Sequence, residues 1–505
     1  MPPALAAFAC LVFIVYLFWD DVRRRDGQRI SWVPFVWMFL AGSRFASAWL
    51  NLGGTITRRA YDEGSPIDRA VFFSLIVWGT VVLARRHIKW ARLLIENKWI
   101  ALYLLYSLSS FFWSDEPFLL VRRWIKELGN PIIVLVLLTE PQPYEAIGIT
   151  LRRLSFLMLP LSVLFIKYYP ELGRAYHQNG DSMFTGVGNQ KNDLGLMCLI
   201  TGMYFAWKLV QRRSGGKAPA ERADANDFLL IGMLAWLLQM SDSQTSIGCL
   251  VVATGVLLIA RVPQVSSRPS RIVPLIATAA VTFAILDAPL GITDHALALM
   301  GRDPTLTNRA TIWEVAGKQT TNPLLGTGFM SFWTPERTAE ISRELGLESS
   351  SLNQAHNGYL EQYLNLGYVG IGFILAIMLS ALLSVRRHLD QDPAAALLRL
   401  CFLVAALIYN YTEASFYGMN NMWVLLLTAS IVTTGAVASS SPSVDSDVAA
   451  MPSAVRQKPG RWRVRRRRPH VMKPLSARPT ASVDAERAVR RWTGRAAPPP
   501  PPRNR

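Results

Sequence analysis

A histidine–asparagine pair, His356-Asn357, stands where a long polar stretch ends and an apolar stretch of membrane-spanning length begins. Tyr359, Tyr363 and Leu366 then recur at helical spacing, so the pair is expected on the first turn of a helix, facing water. Free N–H groups and the positive end of the helix dipole favour a neutral imidazole there, and a neutral imidazole can accept a proton. The alternative, on the residues alone, is a histidine that only caps the helix.

A second chemical signal is a set of cationic side chains suited to an anion. The segment from Thr307 to Val315 predicts a capped amphipathic helix, with Thr307 or Asn308 as the cap and Arg309 at its N-terminus. The helix dipole disfavours a cation at that position unless an anion binds between it and the free N–H groups. Arg309 is therefore predicted to contact an anionic substrate.

The elements that must position these residues are membrane helices. Half of the residues (51%) are hydrophobic, 17% are charged, and apolar runs recur over the first 440 positions with charge between them. This pattern predicts an all-α polytopic bundle and excludes a soluble protein. About 12–13 spans are predicted, near 4–19, 31–50, 70–84, 99–113, 119–139, 154–166, 193–209, 227–240, 245–260, 272–287, 357–384, 397–411 and 418–437.

The distribution of positive charge predicts which loops face the cytoplasm. The loops near 20–30, 85–98, 140–153, 208–226, 261–271 and 385–399 carry 22 Lys and Arg, whereas those near 51–69, 113–130 and 167–192 carry 9. By the positive-inside rule the first set is cytoplasmic. His356 and the loop 288–355 are then outside the membrane, on the periplasmic side.

Three groups of positive charge run against that rule on the outer side. Arg122 and Arg123 follow the segment Trp113–Pro117, Lys191 closes the loop Gly186–Gly195, and Arg44 lies within the second predicted span. Each could be a snorkelling residue or a member of a structural ion pair. Taken together on one side, they predict an anion held at the membrane surface.

The sequence predicts four regions. These are an N-terminal transmembrane bundle (1–287), a folded periplasmic loop (288–355), C-terminal transmembrane helices (356–438) and a disordered basic cytoplasmic tail (439–505). In the loop, Asn322-Pro323 should end the first helix, and Thr334 should cap a second that ends near Gly346. The tail is Ser-, Pro- and Arg-rich, and residues 456–505 alone contribute +14 of the net charge of +18. We expect it to bind anionic lipid rather than nucleic acid, because it has no aromatic interleaving.

Other chemistries lack their motifs. The sequence has no His-Glu-x-x-His, P-loop or Gly-x-Ser-x-Gly, and the Asp-x-Asp at Asp445 and Asp447 lies in the predicted cytoplasmic tail. The four cysteines lie far apart in apolar runs, which predicts small core residues rather than a metal site or disulfides. No metal and no cofactor are therefore expected.

The motifs resemble those of the O-antigen ligase and Wzy-type polysaccharide polymerase superfamily, including its exopolysaccharide-polymerase branch. The resemblance rests on His-Asn, nine residues and Gly-x-x-Gly, on Thr-x-Arg-x-x-x-Trp and on Asn-Pro-Leu-Leu-Gly-x-Gly-Phe, which occur in order within 301–370. Trp113 to Arg123 and Gly186 to Gly195 also resemble family segments, although Asn189-Gln190 precede Lys191 where the family often has a histidine. A weaker Arg-x-x-x-Leu pattern is matched by Arg302 and Leu306.

This resemblance implies a GT-C-like glycosyltransferase of the bacterial inner membrane. It would join a glycan from undecaprenyl pyrophosphate to an acceptor hydroxyl, with inversion and without a metal. His356 would be the general base and Glu413 would orient it or the acceptor. The pyrophosphate would be bound by Arg309, Arg122, Arg123, Lys191 and Arg44, and Asn357 and Tyr359 would orient the acceptor.

The acceptor and the wider class of function stay open at this point. A glycan repeat as acceptor would make the protein a polymerase, and a lipid A core would make it a ligase; the branch resemblance favours an exopolysaccharide polymerase. Membrane lipids and other polysaccharide-export components are the further partners expected. A lipid-linked oligosaccharide flippase is the alternative class, but it should show two similar halves, and the sequence shows no such repeat.

Overall fold

The computed structural model describes residues 1–24, 30–50, 65–176, 182–212, 225–290, 309–320, 322–346, 352 and 354–433. Within them β structure is confined to one antiparallel hairpin, β1 (Arg174–Tyr176) and β2 (Ser182–Phe184). The helices of the first half are α1 (Pro3–Arg24), α2 (Val33–Gly42), α3 (Ala46–Leu50), α4 (Pro66–Ala84), α5 (Trp90–Glu96), α6 (Lys98–Ser109), α7 (Pro117–Glu127), α8 (Gly129–Leu138), α9 (Pro143–Tyr168) and α10 (Pro170–Gly173). Those of the second half are α11 (Lys191–Arg212), α12 (Ala225–Ser241), α13 (Gln244–Ile259), α14 (Pro263–Ser266), α15 (Ile272–Leu290), α16 (Arg309–Lys318), α17 (Pro335–Glu344), α18 (Gly358–His388), α19 (Pro393–Thr412) and α20 (Asn421–Ser430). Short 3-10 helices occupy Ser110–Phe112 and Pro269–Arg271.

Six helices in the described residues are long and apolar enough to cross a membrane, namely α1, α4, α9, α11, α18 and α19. Shorter apolar helices accompany them, among them α2, α12, α13 and α20. The chain is therefore a polytopic helical membrane protein, as the sequence predicts. The total of about 12–13 spans stays a prediction, because the shorter helices do not settle it by length.

The core is built around α9 and α19, which are buried over most of their length. Helix α9 packs against α1, α2, α8, α11 and α12, and α19 packs against α11, α13, α18 and α20. Helix α18 also packs against α6. Neighbouring helices therefore surround both α9 and α19 on most sides. All four cysteines lie in the described residues as free thiols, three of them buried, in keeping with their predicted core role.

Three predicted spans differ from the structure. The span 31–50 is divided into α2 and α3, and Arg44 lies in the break between them. The span 119–139 is divided into α7, which is amphipathic, and the apolar α8. The span 154–166 is the end of a longer helix, α9, which starts at Pro143, and proline is well suited to the first turn of a helix.

The predicted loop 140–153 is therefore mostly helix, and its two arginines are interior residues. Arg152 and Arg153 are 1% and 4% exposed, and both lie against Asp21 of α1. Arg152 also lies 3.6 Å from Asp227, which is bound by Lys208 at 2.8 Å. The pattern that indicated a positively charged loop instead marks a buried charge cluster between helices, because each cation meets an acid across the packing.

The segment between α15 and α18 is folded where the structure describes it. Helix α17 has the predicted cap, because the Thr334 side chain accepts from the N–H of Arg337 at 3.3 Å. It ends at Glu344, close to the predicted end near Gly346, and the φ of +66° at Gly346 suits glycine. Helix α16 begins at Arg309. The proposed caps Thr307 and Asn308, the Arg302–Leu306 pattern and the tail from residue 434 lie outside the described residues.

Candidate active site

His356 precedes α18 rather than lying in its first turn. The helix begins at Gly358, and Asn357 is its cap: the Asn357 side chain accepts from the N–H groups of Tyr359 at 3.0 Å and Leu360 at 3.1 Å. His356 has a left-handed backbone, with φ of +52°, and its side chain is 26% exposed. A capping asparagine thus turns the chain so that the imidazole stands free of the helix.

The side chain of Glu413, just after α19, is where three other side chains meet. Its Oε2 lies 3.3 Å from Nδ1 of His356. Its Oε1 accepts from Nη2 of Arg309 at 3.1 Å and from Nδ2 of Asn192 at 2.8 Å. The backbone takes part as well, because the Glu413 carbonyl accepts from the N–H of Gly358 at 2.9 Å. Histidine, arginine and carboxylate therefore form one hydrogen-bonded group.

Helix α16 is held against this group by one face. Arg309 and Trp313 are four residues apart and so lie on the same side of the helix. Arg309 donates to the carbonyl of Thr412, and the indole N–H of Trp313 donates to the carbonyl of Ala355 at 2.8 Å. The Arg-x-x-x-Trp spacing thus joins α16 to the two stretches of chain that carry the site, one ending in His356 and the other in Glu413.

Behind His356 the segment 323–328 runs along a break in α18. Gly367 has φ of +63°, which interrupts the helix. Tyr368 N donates to the carbonyl of Pro323 at 2.9 Å, and Gly328 N donates to that of Asn365 at 2.8 Å. A Cβ at Gly367 would lie 2.2 Å from the backbone of Leu324. Gly367 therefore lies against the turn at 323–325 rather than against another helix, and carbonyls of that turn accept from backbone N–H groups that the break leaves free.

The segment from Trp113 to Arg123 contacts residues 325–331, which belong to the segment between α15 and α18. The indole of Trp113 donates to the carbonyl of Leu325 at 3.3 Å, and the hydroxyl of Ser114 donates to that of Ser331 at 2.8 Å. Arg123 donates to the carbonyl of Met330, and Arg122 is exposed on the same helix. Arg123 thus supports the turn near residue 330, while its convergence with Arg122 on an anion stays a prediction.

The remaining predicted anion-binding residues have contacts of their own. Lys191 lies 3.5 Å from Asp242, and both side chains are substantially exposed. Its neighbour Asn192 is the residue that reaches Glu413. Arg44 donates to the carbonyl of Leu172, beside the β hairpin. Of this set, the structure brings Arg309 into contact with Glu413, which also contacts His356. Lys191 precedes Asn192, whose side chain contacts Glu413.

Asn357 and Tyr359 stabilise the local fold. Asn357 is 8% exposed and is used as the cap of α18. The hydroxyl of Tyr359 donates to the carbonyl of Leu407 at 3.0 Å, and its ring packs edge-on against Phe416 at 5.0 Å. These contacts orient the start of α18 against α19, and a contact with the acceptor stays a prediction.

Glu127, at the end of α7, holds the turn that follows Glu413. It is 1% exposed, accepts from Gly418 N at 2.7 Å, and also binds the indole of Trp423. Next to Gly418, burial followed by the charge of Glu361 raises the pKa of Tyr417 well above its usual range.

Known proteins resemble this chain over the region that carries the site. The O-Antigen ligase family model, Wzy_C, matches residues 228–375, which include Arg309 and His356. The exopolysaccharide production protein ExoQ of Rhizobium meliloti (strain 1021) is 26% identical over 324 residues, which cover 62% of this chain and 70% of that protein. These matches make the chain similar to proteins of the O-antigen ligase and polysaccharide polymerase family.

The site also includes two residues that the sequence reasoning did not select. Glu361 is fully buried and binds the N–H of Ala355, immediately before His356. Asn192 is bound to Glu413. A signal existed for Glu361, a carboxylate five residues after the histidine on an apolar helix, since intramembrane charges are rare unless they serve a function. Nothing in the sequence distinguishes Asn192 from its neighbours.

Within the described part of the chain, no three or more His, Cys, Asp or Glu side chains are grouped so as to hold a metal ion. The acidic groups of the site bind nitrogen donors instead: Glu413 binds His356, Arg309 and Asn192. The arrangement can therefore accept a proton at the histidine and offer guanidinium N–H groups to an anion beside it.

Proposed function

We propose that this protein is an inner-membrane glycosyltransferase that moves a glycan from undecaprenyl pyrophosphate to an acceptor hydroxyl, with His356 as general base. The observation that carries the proposal is the bond between His356 Nδ1 and Glu413 Oε2, 3.3 Å long, in a partly exposed site. An ionised carboxylate can only accept, so Nδ1 donates to it and Nε2 keeps the lone pair that can take a proton. Glu413 is thus the orienting residue.

The step balances without any further reactant. The acceptor hydroxyl gives its proton to Nε2 of His356 as its oxygen bonds to the anomeric carbon. The bond between that carbon and the pyrophosphate oxygen breaks, and undecaprenyl pyrophosphate leaves with the electron pair. Attack from the side opposite the leaving group inverts the anomeric centre. The imidazolium formed is balanced by the Glu413 carboxylate, which lowers the energy of the charged state.

Arg309 is the best-supported partner for the pyrophosphate. It stands at the start of α16 and contacts the same carboxylate as His356. A guanidinium has five N–H donors, and its contacts with Thr412 and Glu413 need only two nitrogens. The remaining donors can bind a phosphate oxygen with charge-assisted bonds. Arg122, Arg123, Lys191 and Arg44 are proposed to extend this anion site, and the guanidinium charge would take the place of a metal ion.

We propose an exopolysaccharide polymerase rather than an O-antigen ligase. The observation that favours it is the similarity to a protein whose name records exopolysaccharide production. The acceptor would then be the hydroxyl of a second lipid-linked glycan, and the alternative is a lipid A core. Purified enzyme given each acceptor separately distinguishes them: products longer by glycan repeats support the polymerase, and labelled lipid A core supports the ligase.

The donor site is tested by separating binding from reaction. Arg309→Ala should lose affinity for an undecaprenyl-pyrophosphate glycan, whereas His356→Ala should bind it and fail to transfer. Arg309→Lys should also be impaired, because a lysine cannot form the forked bond. Arg337→Lys is the matched control: Arg337 lies in the first turn of α17 and pairs with Asp115 at 3.0 Å rather than with Glu413. Equal donor binding by the wild type and the Arg309→Ala, Arg122→Ala double variant would contradict the anion site.

The proposed side of the membrane has its own test. Single cysteines placed at Ser349 and Ser476, in a variant free of native cysteines, are treated in intact cells with an impermeant thiol reagent. Labelling at 349 and protection at 476 are expected for a periplasmic site and a cytoplasmic tail. The reverse pattern would contradict both the topology and the proposed reaction on the periplasmic side. Transfer that persists in a chelator is the expected result for a metal-independent enzyme.

A further inference from the structure

A second carboxylate lies directly behind the candidate base. Glu361, on the first turn of α18, is fully buried. Its Oε1 accepts from the N–H of Ala355 at 2.6 Å and from the indole of Trp333 at 2.9 Å. Its Oε2 accepts from the hydroxyl of Tyr417 at 2.7 Å and from Nδ2 of Asn365 at 3.2 Å. Four donors from separate parts of the chain thus fix one buried side chain in place.

The bond to Ala355 bears on the conformation of His356. A left-handed backbone costs a non-glycine residue roughly 1–2 kcal/mol, so it persists where neighbouring contacts fix it. His356 has that conformation, with φ of +52°. Before it, Ala355 is held by Glu361 through its N–H and by Trp313 through its carbonyl. After it, Gly358 N is held by the carbonyl of Glu413 at 2.9 Å.

We infer that Glu361 is a positioning residue for glycan transfer, acting through the Ala355–His356 backbone to hold the imidazole against Glu413. The inference rests on the proposed role of His356 as general base. A misplacement of about 1 Å can cost on the order of 100-fold in rate, so Glu361→Gln should lower kcat roughly 10- to 100-fold. The KM for the lipid-linked donor should stay unchanged, because Glu361 is not part of the anion site.

The test must separate positioning from general damage to the fold, so it uses a double-mutant cycle. Glu361→Gln is made in the wild type and in His356→Gly, where glycine accepts the left-handed backbone without strain. Transfer is measured for all four proteins with and without added imidazole. If Glu361 acts through His356, the Glu361→Gln substitution should have no further effect once the histidine side chain is absent.

The two members that lack His356 should therefore show equal residual rates, and equal rescued rates where free imidazole restores transfer. A further fall of 10-fold or more on adding Glu361→Gln to His356→Gly would overturn the positioning role. Wild-type transfer by His356→Gly would instead overturn the proposed base itself, so the two failures are distinguishable. Gln362→Leu is the control for the first turn of α18. Gln362 is also buried but pairs with Tyr103, so its loss should leave kcat within a few-fold.

Discussion

Two clusters of charge in this molecule have similar chemistry and different surroundings. The cluster of Asp21, Arg152, Arg153, Lys208 and Asp227 lies between helices, with each residue less than 9% exposed. The cluster around Glu413 is more open, since the side chains of His356 and Arg309 are 26% and 19% exposed. The first opposes cations and acids across packed helices. The second includes a histidine, the one side chain here whose ordinary pKa lies near neutrality.

This difference indicates what each cluster can do. Buried ion pairs that lose one partner leave a desolvated charge, so they resist change and specify packing. An open cluster can exchange protons and admit a ligand at lower cost. Intramembrane charge alone therefore does not identify a functional site in this protein. Access to water and the presence of a histidine distinguish the cluster around Glu413 from the buried cluster.

The largest effect is expected at the histidine of the open cluster. His356→Ala should lower the rate of glycan transfer about 10²–10⁴-fold, as is typical for loss of a general base, with the amount of folded protein unchanged. His388→Ala is the matched control, because His388 ends the same helix and bonds only to the carbonyl of Ser384 at 2.8 Å in the contacts described. Full-length polysaccharide from His356→Ala cells would make the residue structural, like the buried cluster.

The buried cluster should show the opposite behaviour. Asp21→Ala removes the acid shared by Arg152 and Arg153 and should destabilise the protein by about 3–5 kcal/mol. Turnover per folded molecule should be unaltered. Glu413→Gln should do the reverse, with a small change in thermal unfolding and a roughly 10- to 100-fold loss of transfer. Thermal unfolding in detergent and turnover would be measured on the same samples, and equal profiles for the two variants would remove the distinction.

The smallest effect on stability is expected at the exposed pair of Lys191 and Asp242. The two atoms lie 3.5 Å apart with side chains 30% and 59% exposed, so Lys191→Ala should change stability by less than about 1 kcal/mol. Donor affinity should fall several-fold at low salt, and the difference should fade at high salt as screening increases. A loss of stability like that of Asp21→Ala would place Lys191 with the structural charges instead.

Much of the architecture could be predicted because it depends on local patterns. Apolar runs of sufficient length predict membrane helices, Thr334-Pro335 predicts the start of α17, and the wide polar stretch before residue 356 predicts a folded outer segment. The same reasoning selected His356 and Arg309, and the family resemblance added Glu413 to the site. These inferences use spacing and residue type, which act over a few residues along the chain.

What the sequence determined by itself is the class of protein, its helices and the residues able to exchange a proton or bind an anion. The tertiary structure decided which of those residues meet. Arg152 and Arg153 lie in a stretch that the charge pattern assigns to a cytoplasmic loop, but packing against Asp21 makes them interior. Gly367 is small enough for a neighbouring helix to approach, but the backbone of Leu324 lies against it instead and α18 is interrupted there. Glu361 became part of the site only because Ala355, 6 residues earlier in sequence, folds back to donate to it. Such outcomes depend on contacts between distant segments, and the free energy of those contacts is fixed by the whole packing rather than by any local pattern.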